Sequence, residues 1–323
     1  MTPATPCPIC EGRQTNAVRT YSASQAASHF CPPHRDAGRH QRLLSAILGL
    51  WPDGECTVRR CDECGFGFGD PYVAGDDEFY SILHEQMGYP KWRWDYDVAL
   101  SITGSTAAKR VLDIGAGSGN FLRSLDPSCE RYAVESSPTT VSVLREHGVE
   151  TVSELSQFGP DYDGYFDVIT MFQSLEHIAP PGDVLQECAR LLARGGKLIV
   201  TVPDADAMFK QERVLGTPDM PPNHINKWSR DSLSRAMRAG GLTPGHYEKE
   251  GVSARNVRAK LHMRISNDAQ SPSSIAGFVY RLNRRPVRAA LMAGLAPFAL
   301  LRLLPHVGFL TSGGAFALAA EKP

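Results

Sequence analysis

Between about residues 105 and 250, short apolar runs alternate with amphipathic stretches. Val111, Leu112 and Ile114 form an apolar run that ends in the glycine-rich turn GAGSGN (115–120). Such a run predicts a buried strand, with a helix starting near Asn120. RYAVE (131–135) predicts a second strand. PTTVSVLREHG (138–148) has helical apolar spacing and closes on Gly148. Residues 150–155 predict a short third strand and 168–172 a buried fourth. PGDVLQECARLLARGGKLIVTVPD (181–204) predicts a helix, a Gly-Gly cap and a fifth strand. SRDSLSRAMRAGGL (229–242) predicts a further capped helix. Strands and helices alternating through short loops predict an α/β fold with a doubly wound, mostly parallel sheet.

The texture changes on both sides of this core. We divide the chain into an N-terminal module (1–85), the core (86–254), a basic and apolar helical insertion (255–311) and the last core strand (312–323). Hydrophobic residues make up 42% and charged residues 21%, which is ordinary for a globular protein. A net charge of −1 gives no global field toward nucleic acid. The first thirteen residues hold no apolar run. The longest uncharged apolar run, AALMAGLAPFALL (289–301), contains a proline and is short for a membrane span. The expectation is a cytoplasmic protein, whose eight cysteines point to metal or buried thiols before disulfides.

Cys7-Pro8-Ile9-Cys10 and Cys61-Asp62-Glu63-Cys64-Gly65 are two CxxC pairs. Each spacing makes a tight turn with both thiolates facing one point, and Gly65 suits the left-handed residue that closes it. Two such turns supply four soft ligands in a tetrahedron. That suits structural zinc and leaves no open position for a substrate. A redox pair would sit at a strand–helix junction, where neither lies. Unrelated buried thiols are the remaining alternative. His29, Cys31 and His34 lie between the pairs and read first as a polar loop with one thiol. Few basic or stacking residues flank the cysteines, so no nucleic-acid role is expected.

The glycine spacing is the most specific chemical signal. Asp113-x-Gly115-x-Gly117-x-Gly119 differs from the G-x-G-x-x-G of dinucleotide sites. Glu135 ends the second strand about twenty residues on, where a carboxylate can accept both hydroxyls of a ribose. This set resembles the D/E-x-G-x-G-x-G loop of class I S-adenosylmethionine (SAM)-dependent methyltransferases. QSLEHI (173–178) followed by LLARGGKLIVTVP (191–203) is similar to the ubiquinone-type O-methyltransferases and their relatives. The resemblance covers about residues 105–250. It implies SAM as cofactor, held by Asp113, Gly115, Ala116, Gly117 and Gly119, with Glu135 on the ribose. It places Ser153 and Glu154 at the adenine and Gln173 beside the cofactor. It also implies a closing antiparallel hairpin, LTPGHYEKEG (242–251) with GGAFALAAEK (313–322), which completes a seven-stranded Rossmann-like sheet.

Cysteines of this kind ahead of the fold resemble bacterial deoxysugar C-methyltransferases. That implies a small-molecule or glycan acceptor, sugar- or polyketide-like, methylated on carbon or oxygen in a biosynthetic pathway. A quinone-like phenol or a lipid-linked acceptor is the alternative. A non-catalytic, zinc-dependent scaffold is the alternative of another class.

Methyl transfer to a hydroxyl or carbon acid needs a group that takes a proton. Candidates belong after the fourth and fifth strands, where ligands bind in open parallel sheets. In the relatives, Glu176 and His177 border the acceptor pocket and are placed to touch a metal ion. Read as residues alone, they serve equally as a helix start and a packing group. His224, in the proline-marked loop PPNHINKWSRDSL (221–233), is either a general base or a packing group of a lid. Trp92, Trp94 and Tyr96 border the pocket or pack as core. From residue 255 to 302, nine Lys/Arg meet one acid, Asp268, a local charge of +8. The first reading of this insertion is a helical cap with a buried apolar face and solvated arginines. A peripheral membrane element over 278–304, a homodimer interface and a pocket wall are the others.

Overall fold

A computed structural model describes residues 5–85, 93–105, 108–282 and 284–323. Strands β1 (Thr15–Ser22), β2 (Glu55–Cys61) and β3 (Gly67–Asp70) precede the core. Strands β4 (Arg110–Ile114), β5 (Glu130–Val134), β6 (Glu150–Val152), β7 (Phe166–Phe172) and β8 (Leu192–Pro203) follow. After them come β9 (Asn226–Lys227), β10 (Thr243–Lys249) and β11 (Ala315–Glu321). The main sheet has the order β10-β11-β8-β7-β4-β5-β6. Its strands from β8 to β6 pair in parallel, and β11 enters antiparallel between β8 and β10. The expected seven-stranded, mostly parallel sheet is therefore present. Val111, Leu112, Ile169, Leu198 and Val200 are fully buried, as strands covered on both faces require. The chain leaves β4 for β5 on one side and returns to β7 on the other. This reversal opens the crevice in which ligands of such sheets bind.

Helices α1 (Ala23–Phe30), α2 (Ala37–Leu50) and α3 (Asp77–His84) accompany the first strands, and α4 (Trp94–Ser105) leads into β4. The core adds α5 (Pro138–Glu146), α6 (Gly182–Leu191), α7 (Ala205–Leu215) and α8 (Arg230–Ala239). The insertion holds α9 (Ala254–Asp268), α10 (Ile275–Tyr280), α11 (Arg285–Gly294), α12 (Ala296–Leu303) and α13 (Val307–Leu310).

Three local expectations are corrected. The helix near Asn120 is only a 3-10 turn, Leu122–Ser124. Pro127 stops it, because the residue before a proline is pushed out of helical geometry. Asp126 instead accepts the Ser128 N–H at 2.9 Å. The Gly-Gly pair does not cap α6. It lies inside β8, where pairing jumps from Phe166↔Leu192 to Val168↔Lys197 and residues 193–196 bulge out. Gly195 takes φ +76 there, and a Cβ on Gly196 would fall 2.8 Å from the Ala193 carbonyl oxygen. Finally, the insertion buries its apolar face only in part: Ala276, Ala299, Leu303 and Phe309 are buried, but α11 has no buried residue and Phe298 and Leu301 of α12 are exposed.

A second sheet has the order β1-β2-β3-β9. Its first three strands pack on α1, α2 and α3 through Trp51, Ile47 and Phe79, all fully buried. Its fourth strand comes from the loop that carries His224, paired as Gly67↔Lys227 and Phe68↔Asn226. The N-terminal module thus holds the loop beside the crevice.

Candidate functional site

The four paired cysteines converge. Cys7 Sγ lies 3.7 Å from Cys64 Sγ, and Cys10 Sγ lies 3.5 Å from Cys61 Sγ. All four sulfurs lie within 4.8 Å of one another. A zinc–sulfur bond of about 2.3 Å in a tetrahedron puts sulfurs about 3.8 Å apart, so the set fits zinc. Backbone N–H groups of Ile9 and Cys10 aim at the Cys7 sulfur and that of Phe66 at Cys64. Gly65 closes its turn at φ +70. Zinc here would supply folding free energy rather than chemistry, since no ligand position stays open. Among the described residues, His29, Cys31 and His34 join no such group.

At the crevice, Gly115, Gly117 and Gly119 take φ of +76, +51 and +69. Side chains strain at such angles, and a Cβ on Gly119 would fall 2.5 Å from Leu144 Cδ2. The loop is anchored beneath by the Gly115 and Ala116 N–H groups, which donate to the Val134 carbonyl at 2.9 and 3.4 Å. Glu135 stands against it: Oε2 accepts the Gly117 N–H at 2.9 Å and Oε1 the Ser137 N–H at 3.0 Å. Each oxygen keeps a lone pair for a hydroxyl donor. The Glu135 N–H donates to the Val152 carbonyl at 3.0 Å, so Ser153 and Glu154 follow at the end of the next strand. Asp113 is buried below the loop and accepts from Thr170 Oγ1 at 2.8 Å. Burial pushes its carboxyl up to about 7 against that hydrogen bond. A cation nearby would favour its ionised form. SAM is such a cation and carries a ribose, so the residues present fit it.

Gln173, Glu176 and His177 follow β7 and line a cavity of about 880 Å³ with His224 and Asn223. The opposite wall is α9, through Asn256, Ala259 and Met263. Trp94 reaches this cavity, while Tyr96 packs inside against Phe172 with ring centroids 4.8 Å apart. Trp92 lies outside the described residues.

His224 Nδ1 lies 2.6 Å from Asp219 Oδ1, a charge contact. Burial opposes the imidazolium. The Asp219 carboxylate, helped by Glu176, outweighs burial and holds His224 above its ordinary value. Desolvation opposes the charge on the partly buried Asp219, but His224 and Lys227 outweigh it and hold the carboxyl well below the usual carboxylate range. Lys227 Nζ also donates to the Asp219 carbonyl.

His177 behaves oppositely. Burial first, and then the neighbouring His224, push it down to about 3. Its neutral ring donates from Nδ1 to the Asn223 carbonyl at 2.7 Å, and the Tyr80 hydroxyl lies 3.1 Å away. Glu176 is 1% exposed, and Oε2 has no partner among the described residues. Burial pushes its carboxyl up to about 7. Glu176, His177 and His224 bring one donor atom each within 4.8 Å, close enough to pass a proton or to hold a metal ion.

The structure thus brings the loop and Glu135 together, and Gln173, Glu176, His177 and His224 together. Two contributors were not found by reading the sequence. Asp219 stands five residues before His224 in the proline-rich loop, a local signal that was available. Tyr80 is 97 residues from His177, and nothing in the sequence links them.

Residues 97–246 match the family described as methyltransferase domain. A ubiquinone biosynthesis O-methyltransferase of Xanthomonas oryzae pv. oryzae is 34% identical over 103 residues, covering 29% of this chain and 43% of that protein. The match thus spans less than half of that relative's length. A protein of the same name from Pseudomonas aeruginosa is 25% identical over 186 residues, 50% of this chain and 80% of the relative. A solved SAM-dependent methyltransferase from Archaeoglobus fulgidus is similar at a TM-score of 0.48 and 16% identity, over 76% of this chain and 100% of that one. Residues 97–246 thus match a methyltransferase domain, and the glycine loop and Glu135 lie within the matched stretch.

Proposed function

We propose that this protein transfers the methyl group of SAM to a hydroxyl or carbon acid of a small-molecule or glycan acceptor. A sugar- or polyketide-like acceptor is the first choice. What supports the reading is the adjacency of a glycine-rich loop at the end of β4, where a Cβ on Gly115 would fall 3.2 Å from Ser174, to the cavity that Gln173, Glu176 and His224 line. When bound, SAM supplies an electrophilic sulfonium methyl. The chain supplies alignment and the proton acceptor.

His224 is the base. The Asp219 carboxylate faces Nδ1 at 2.6 Å, and Nε2 is the nitrogen assigned to take the acceptor's proton. The same carboxylate stabilises the imidazolium that forms. His177, held neutral at about 3, is too weak a base near neutral pH and orients the wall instead. Glu176 is buried and unpartnered at Oε2, placed to accept a hydrogen bond from the acceptor. A quinone-like phenol as acceptor is the second reading, favoured by the names of the relatives. The same base serves both.

The test is incubation of the protein with methyl-labelled SAM and host extract, followed by mass analysis of whatever gains the label. A labelled small molecule or glycan supports the proposal. Failure to bind SAM in calorimetry overturns it in favour of a zinc-dependent scaffold.

A further inference from the structure

We propose that helices α10, α11 and α12 form a surface that docks on an anionic lipid bilayer. Each short helix presents an exposed apolar pair at helical spacing. The pairs are Ile275 and Phe278 (74% and 62% exposed), Val287 and Leu291 (45% and 46%), and Phe298 and Leu301 (66% and 65%). The buried residues of the first and last lie on other positions: Ala276 and Val279 in α10, Ala299 and Leu303 in α12. Ile275 and Phe298 border one cavity of about 570 Å³, so the outer pairs adjoin. Exposed apolar side chains gathered in this way mark an interaction site.

Charge selects the partner. Arg281, Arg284, Arg285 and Arg288 have no carboxylate partner among the described residues. Asp268, the one acid between residues 255 and 302, is already paired with Arg264 and Arg302. This stretch carries +8 while the chain as a whole carries −1. A second copy of this chain would set +8 against +8 across a two-fold interface. Anionic headgroups supply the missing charge, and acyl chains cover the phenylalanines and leucines.

The geometry is that of lying on the bilayer. Arg285–Leu310 is long and apolar enough to cross a membrane by composition. It is nevertheless broken into α11, α12 and α13, and Leu303, Phe309 and Leu310 are buried with Leu215 of the core. Beneath it, α9 supports the surface through Leu261 and Ile265 and lines the candidate cavity through Ala259 and Met263. Docking brings that cavity to the bilayer, where an acceptor with a lipid tail would reach it. That last consequence rests on the methyl-transfer reading; the docking itself does not.

The test is flotation of the full, zinc-loaded chain with vesicles of phosphatidylcholine, alone or mixed with phosphatidylglycerol, at low and high salt. The expected result is binding at least about tenfold greater to the anionic vesicles, released by salt. F298S/L301S and R284E/R285E should each lose about tenfold of it while still binding SAM, which shows that they fold. No flotation with anionic vesicles at low salt overturns the proposal. So does undiminished binding by both variants, retention on the vesicles after alkaline carbonate extraction, or a solution dimer that F298S/L301S dissociates without any vesicle binding. Normal SAM calorimetry beside failed flotation would sink the docking alone.

Discussion

Asp113 and Glu135, which bracket the glycine loop proposed to hold SAM, fall within 23 residues of sequence. The wall around His224 draws on α3, the end of β7, the proline-rich loop and α9. The first half is local: backbone angles dictate glycines at a fixed spacing, and one strand away a carboxylate meets the loop. The second half is assembled by topology, with β3 pairing to β9 and α3 delivering Tyr80. A motif can therefore announce the cofactor while the acceptor site stays silent. Damage to the two halves should separate in the same way.

The largest effect is expected at the loop. Gly119→Ala places a Cβ against Leu144 at a positive φ. It should cost about 1–3 kcal/mol of stability and abolish SAM binding. Denaturant unfolding and calorimetry check both, and unchanged binding would break the local half of the comparison. Next comes the zinc module. One zinc per chain is expected by metal analysis. Cys61→Ser, or chelation, should loosen the sheet that holds β9 and lower acceptor turnover by about tenfold or more. SAM affinity should stay within a few-fold; its collapse would mean that the halves are not separable.

A subtler test uses pH. Asp219 raises His224, so the base is protonated at low pH and turnover should climb as pH rises through a midpoint above the ordinary 6.5. Asp219→Asn leaves burial unopposed by that carboxylate, so the midpoint should fall. The maximal rate should drop about tenfold through lost orientation. A midpoint that does not move in the pH–rate profile means that Asp219 neither orients nor charges the base. The smallest effect is expected for Tyr80→Phe, a change of a few-fold in KM with kcat nearly intact.

Much of the fold was legible because strand runs such as 168–172 are apolar enough to be read without context. The glycine loop was legible because its residue types are forced. What failed was decided elsewhere. Pro127 cut the helix expected near Asn120 down to a single turn. Gly195 and Gly196 took up a bulge inside β8 rather than a cap. Helix periodicity in 278–304 shows an apolar stripe but not how much of it the core covers, and Phe298 and Leu301 stay exposed beside the buried Ala299 and Leu303. His177 and His224 looked equivalent as letters. Their surroundings push one down to about 3 and the other up, and only the fold supplies those surroundings.

The most direct test of His224 as the base is to measure SAM affinity and label transfer together on the native protein and on His224→Ala. Equal SAM affinity is expected for both. Transfer in the variant should fall by about a hundredfold or more, the range expected when a positioned base is removed. Undiminished transfer by His224→Ala, or loss of SAM binding along with activity, would contradict that role.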